Sequence, residues 1–133
     1  MNNMNTPVAI TEGIKISVET EYRSDYSDPL NSNYLFSYRI SIENQSDCTV
    51  QLLKRQWDIF DSGEGYREVK GEGVVGQQPI LAPGEVHVYE SACPLKSEVG
   101  KMSGTYLMER KDTLEQFLVT IPSFELIAPL RLN

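Results

Sequence analysis

Hydrophobic and polar positions alternate with a period of two along most of this chain, and no run of ten residues carries the 3.6-residue period of an amphipathic helix. In IKISVET, Ile14, Ile16 and Val18 share one parity while Lys15, Ser17 and Glu19 share the other, which predicts a half-buried strand. YLFSYRISIEN repeats the pattern more strongly, with Tyr34, Phe36, Tyr38, Ile40 and Ile42 against Ser37, Arg39, Ser41 and Glu43. This segment is expected to be a central strand. In VQLLKRQWDIF the parity changes, because Val50 and Leu52 fall on one phase and Trp57 and Ile59 on the other. One extra residue near Lys54 to Gln56, a β-bulge, accounts for the change.

Turn chemistry separates these runs. Asn44-Gln45-Ser46-Asp47 offers side chains that bond their own backbone, DSGEG at 61–65 precedes the short strand YREVK, and Pro83-Gly84 has the residue order of a type II turn. VHVYESA, MSGTYLME and QFLVTIP supply three more strands, the last two joined through Lys111 to Leu114. About seven short strands with frequent turns and no long helix predict an all-β fold, an immunoglobulin-like or fibronectin type III-like antiparallel β-sandwich. A small barrel shows the same patterning and is the alternative.

At 133 residues the chain is read as a single domain, 1–133, with residues 1–12 as a flexible N-terminal segment. No apolar run approaches the length of a membrane helix, so no membrane insertion is expected. The opening MNNMNTPVAITEG has neither a basic start nor an apolar run, and the chain is read as untargeted and cytoplasmic, with Cys48 and Cys93 as reduced thiols. A net charge of -7 repels a phosphate backbone and argues against nucleic acid as a partner.

Residues 71–76, GEGVVG, place Gly71, Gly73 and Gly76 in the spacing G-x-G-x-x-G. A dinucleotide turn needs a helix after the glycines, and the following QQP and Pro83-Gly84 block one. Two readings remain. The glycines can supply positive φ and close backbone approach, or successive N–H groups can form a nest for phosphate or pyrophosphate, with Arg55, Arg67 or Lys70 adding charge and Glu72 opposing it. The only imidazole, His87, is expected to face outward between Val86 and Val88, and no nucleophile and base converge, so no catalytic residue is assigned. Cys48, His87 and Cys93 lack zinc-ligand spacing, and the polar loop around Asp25, Asp28 and Asn31 lacks a calcium-loop pattern. Neither a metal nor a cofactor is expected. Trp57 is assigned to the core. Tyr22, Tyr26 and Tyr34 surround a loop too long for a simple hairpin, a natural place for a partner site.

The series SDP at 27–29, YLFSYRISIEN, VQLLKRQWDI, the glycine loop with its trailing QP, YESACPL, GKMSGTYLM and FLVTIPSFEL resembles the ApaG family of small bacterial proteins over roughly residues 14–129. The resemblance implies a fibronectin type III-like sandwich. It also implies association with cobalt and magnesium efflux and with operons that encode a diadenosine-tetraphosphate hydrolase. The same domain occurs in eukaryotic F-box proteins and in a polymerase-interacting protein, where it is similar to a protein-binding module. This chain departs from the family pattern where Gln56 rather than His follows Arg55, where Asp58 replaces an apolar residue, and where Asp112-Thr113 stands for Asp-Gly. The resulting expectation is a non-enzymatic module that engages an unidentified protein partner, with a homodimer as one arrangement. The alternatives are a phosphate or pyrophosphate binder using the glycine loop, and an accessory factor in divalent-cation homeostasis.

Overall fold

The structure is a computed structural model and describes residues 6–129. Its strands are β1 (Val8–Thr11), β2 (Ile14–Tyr22), β3 (Tyr34–Asn44), β4 (Val50–Asp61), β5 (Gly65–Glu72), β6 (Ile80–Leu81), β7 (Val86–Leu95), β8 (Val99–Arg110) and β9 (Gln116–Ile127). Two 3-10 turns, Ser24–Tyr26 and Pro29–Asn31, lie in the β2–β3 loop. One sheet has the order β1-β2-β3-β7, the other β5-β4-β8-β9 with β6 against β4, and every pairing is antiparallel. The inner faces of both sheets contribute to one buried cluster, so the fold is the expected sandwich and not a barrel. The strands among the described residues number nine, against the expected count of about seven. The two additions, β1 and β6, are too short to show a period-two signature.

Val8–Thr11, inside the stretch read as a flexible N-terminal segment, form a strand registered on Ile14–Ser17, while residues 1–5 lie outside the described range. The bulge in β4 is present, but its extra residue is Leu53, between the pairs Leu52–Met108 and Lys54–Leu107, just before the expected span. A second irregularity lies where β8 meets β9 between Met102 and Gly104, and there Ile121 and Pro122 are both buried. Proline is tolerated at such a site because a bulge leaves one backbone group out of the ladder.

His87 also requires correction. It shares a face with the buried Tyr89, Cys93 and Leu95, while Val86 and Val88 point outward. Its Nε2 is buried and has no hydrogen-bond partner among the described residues. Trp57 is in the core, edge-on to Tyr38 at 5.5 Å and to Phe124 at 5.8 Å between ring centroids. β7 pairs with β3 along one side only, which leaves it an edge strand.

Candidate functional site

The β2–β3 ladder extends past the core at one end of the sandwich. Tyr22 pairs with Phe36 and packs on it at 5.3 Å, and Tyr34 lies two residues before Phe36 on the same inward parity. Both tyrosine rings are only partly buried against the core there. Ser24, Ser27 and Pro29 from the long loop form one wall, and Glu98, Ala128 and Pro129 form the other. The open cleft between them has a volume of about 660 Å³. This size falls within the range of small-ligand and peptide-segment sites.

Local bonds hold the walls. Ser27 Oγ donates to the Arg23 carbonyl at 2.7 Å and accepts the Leu35 N–H at 2.9 Å, tying the loop to the start of β3. Arg23 is engaged by Asp25 at 3.1 Å and lies over the Tyr26 ring at 4.9 Å. On the other side Asp61, fully buried, accepts the Lys96 N–H at 2.6 Å, the Ser97 hydroxyl at 2.7 Å and the Gly63 N–H at 2.9 Å. Burial opposes its ionisation, but these three donors and the nearby Arg67 guanidinium outweigh burial and hold its carboxyl below the usual range. Asp61 thereby fixes the turn that carries Glu98, and the Ala128 N–H closes on the Glu98 carbonyl at 2.8 Å.

Of the three tyrosines singled out in the sequence, Tyr22 and Tyr34 line this cleft. Tyr26 is not among its lining residues and stands 67% exposed beside it. Glu98, Ala128 and Pro129 carry no signal in the sequence, because only the topology brings them to residue 22. Asp61 did carry a signal: Asp-x-Gly is the pattern of a side chain that bonds the backbone two residues on.

The glycine loop lies elsewhere, at the end of β5. Gly71 is paired with Arg55, the Gly73 N–H bonds the Leu53 carbonyl at 2.9 Å, and the Val74 N–H bonds the Gln77 carbonyl at 2.8 Å. Val75, at φ 48°, and Gly76, at φ 75°, form the two central residues of a tight turn closed by the reciprocal Gln77-to-Val74 bond. Arg55 Nη1 donates to the carbonyls of Glu72 and Gly73 at 3.0 and 2.9 Å. At these positions the loop presents carbonyls to a cation, whereas an anion nest presents N–H groups. A shallower groove of about 430 Å³ beside it includes Lys54, Lys70, Thr105, Leu107 and Leu118. Arg67 points away, donating to the Pro94 carbonyl at 2.8 Å.

Between the sheets the Tyr89 and Tyr106 hydroxyls hydrogen-bond to one another, and burial pushes both phenols up. Cys48 and Cys93 are free thiols, and burial likewise raises that of Cys93. Among the described residues no group of three or more His, Cys, Asp or Glu side chains is placed to hold a metal ion, and no helix is long and apolar enough to cross a membrane.

The ApaG domain model matches residues 24–110, from the tyrosine loop to the end of β8. The chain belongs to the ApaG family. An ApaG protein from Sinorhizobium fredii is 45% identical over 121 residues, covering 91% of this chain and 92% of that protein. One from Brucella canis is 44% identical over the same shares. A crystal structure of a Bordetella pertussis protein designated ApaA is 40% identical, covers 93% of this chain and 97% of its own, and superposes with a TM-score of 0.83. The ApaG match includes the loop wall of the cleft and the whole glycine loop, but stops before Ala128 and Pro129.

Proposed function

We propose that this ApaG-family protein is a non-enzymatic protein-binding module that recognises its partner through the open end of the sandwich. The observation that supports this reading is the meeting of Tyr22 and Tyr34 in one cleft below a loop that exposes Tyr26 at 67% and Leu30 at 94%. Long loops on rigid sandwiches are common recognition surfaces, and tyrosine gives large contact area for little conformational entropy. A role in divalent-cation homeostasis would then be exercised through the partner.

Affinity capture from the native cell, with the parent and with a Tyr26→Ser/Leu30→Ser variant, tests this. The parent retains a partner that the variant loses, and the purified partner titrates the parent saturably and the variant at least tenfold more weakly. Equal retention by both proteins, or no saturable complex with any retained protein, overturns the reading. Both substituted side chains are solvent-exposed, so folding is preserved and a melting curve verifies it.

A further inference from the structure

We infer that the Tyr22–Tyr34 cleft takes an extended, proline-rich segment carrying an arginine or lysine, with Glu98 receiving the cation. This inference rests on the binding-module reading and names the chemistry of the partner. Three observations carry it.

The first is spacing. Tyr22 is opposite Phe36, and Tyr34 is on the same face two residues from Phe36. Such diagonal neighbours lie about 7–8 Å apart across an antiparallel pair. A polyproline II strand repeats every three residues at about 3.1 Å per residue, so side chains along one of its edges recur at roughly 9 Å. Two rings whose bases lie about 7–8 Å apart fall roughly 1–2 Å short of that repeat, within the reach of tyrosine side chains, and accept successive edge residues of such a strand, with proline rings flat against them. A helix fits poorly, because its width is about 10–12 Å and its carbonyls are bonded internally. A polyproline strand has no internal hydrogen bonds and offers its carbonyls to the tyrosine hydroxyls.

The second observation is enclosure. Tyr22 and Tyr34 are half-buried against the core, and Pro29 walls the loop side. Rings held by packing at a semi-enclosed site lose little further freedom when a ligand docks.

The third is charge. Glu98 is the one ionisable acid or base lining the cleft besides the two tyrosines, and its carboxylate forms no ion pair among the described residues. The cations nearby are engaged elsewhere, Arg23 by Asp25 and Lys96 Nζ by Asn33 Oδ1 at 3.4 Å. With a net charge of -7, the protein favours the approach of a basic segment and disfavours an acidic one.

The test uses fluorescence anisotropy with a labelled decapeptide that has prolines three residues apart and one arginine beyond them. The parent binds it saturably at micromolar concentration. Glu98→Gln weakens that binding about tenfold, the loss expected for one charge-assisted hydrogen bond. The same variant leaves the affinity for an Arg→Gln peptide unchanged, which couples Glu98 to that arginine. A peptide with both prolines replaced by alanine binds at least tenfold more weakly. The Glu98 side chain is exposed, and the bond that Glu98 makes to the Ala128 N–H is through its backbone carbonyl, so the variant folds, and its melting temperature checks this. No saturation at millimolar peptide, or an affinity for the arginine peptide that Glu98→Gln leaves intact, or equal binding of the alanine peptide, overturns the inference. If the peptides fail while the Tyr26/Leu30 variant still loses a captured partner, the polyproline inference alone falls. If no captured partner depends on the loop, the parent reading falls with it.

Discussion

Val75 combines two unfavourable features, a β-branched side chain at φ 48° and an apolar surface that is 63% exposed. A tight two-residue turn with both central residues at positive φ favours asparagine and glycine. Val75→Asn is therefore expected to stabilise the fold by about 1 kcal/mol in denaturant melts. Gly73→Ala acts in the opposite direction, since φ is 63° and a Cβ would collide with the Gln77 carbonyl oxygen; the loss should exceed about 2 kcal/mol. At Gly76, φ is 75° but the surrounding space is open, so alanine costs only about 1 kcal/mol. Millimolar pyrophosphate at fixed ionic strength is expected to leave all four melts unmoved. A saturable rise in the parent, abolished in both glycine variants, would promote the loop to an anion site. The spacing in the sequence draws attention to these glycines, but does not reveal that Gly73 is constrained by contact as well as torsion and Gly76 by torsion alone. It also misleads at His87, where two flanking valines suggest an outward histidine. The bulk of Tyr89, Cys93 and Leu95 decides which parity is buried.

Among the elements, the hairpin end of β4 and the β7–β8 turn are joined by one buried carboxylate. Asp61→Ala would leave the Gly63 and Lys96 N–H groups without their acceptor and the Ser97 hydroxyl with only the Val99 carbonyl and Ser62, a loss on the order of 3 kcal/mol. The more discriminating experiment is pH. The folded Asp61 has a pKa below its ordinary 3.8, so its stabilisation is complete above that value and disappears as pH falls through the lowered folded pKa. Unfolding free energies measured from about pH 6 to about pH 2 should therefore show the parent's advantage over Asp61→Asn shrinking with acid. An advantage that stays constant would mean that the charge on Asp61 contributes nothing. The parity change in β4 could be read from the sequence because buried residues change phase around it. The exact residue could not, since Leu53 is selected by pairing with β8. Tyr22 and Tyr34 are legible in the sequence because aromatic residues flanking a long loop are conspicuous. Glu98 is not, because an acid in a short turn has no local signature.

For the whole molecule, period-two patterning suffices for the class of fold, whereas sheet order depends on contacts far apart in sequence. The β3–β7 pairing joins Tyr34 to Leu95, and the cleft draws on positions from 22 to 129. No local window contains either. That same topology leaves β7 at an edge, a ten-residue strand with Val86 at 52% and Val88 at 43% exposure on its outer face. Long apolar edges recruit strands from other copies, and inserted charges and prolines protect against this. Glu90 and Pro94 stand on that outer face, Glu90 opposite Arg39, and we assign them the part of gatekeepers. Glu90→Val is expected to shorten the lag before thioflavin-positive fibrils form, while the unfolding midpoint moves little. An unchanged lag would leave solubility to the net charge alone. The strand that helps to close the core is thus also an edge at which this protein lies open to amyloid.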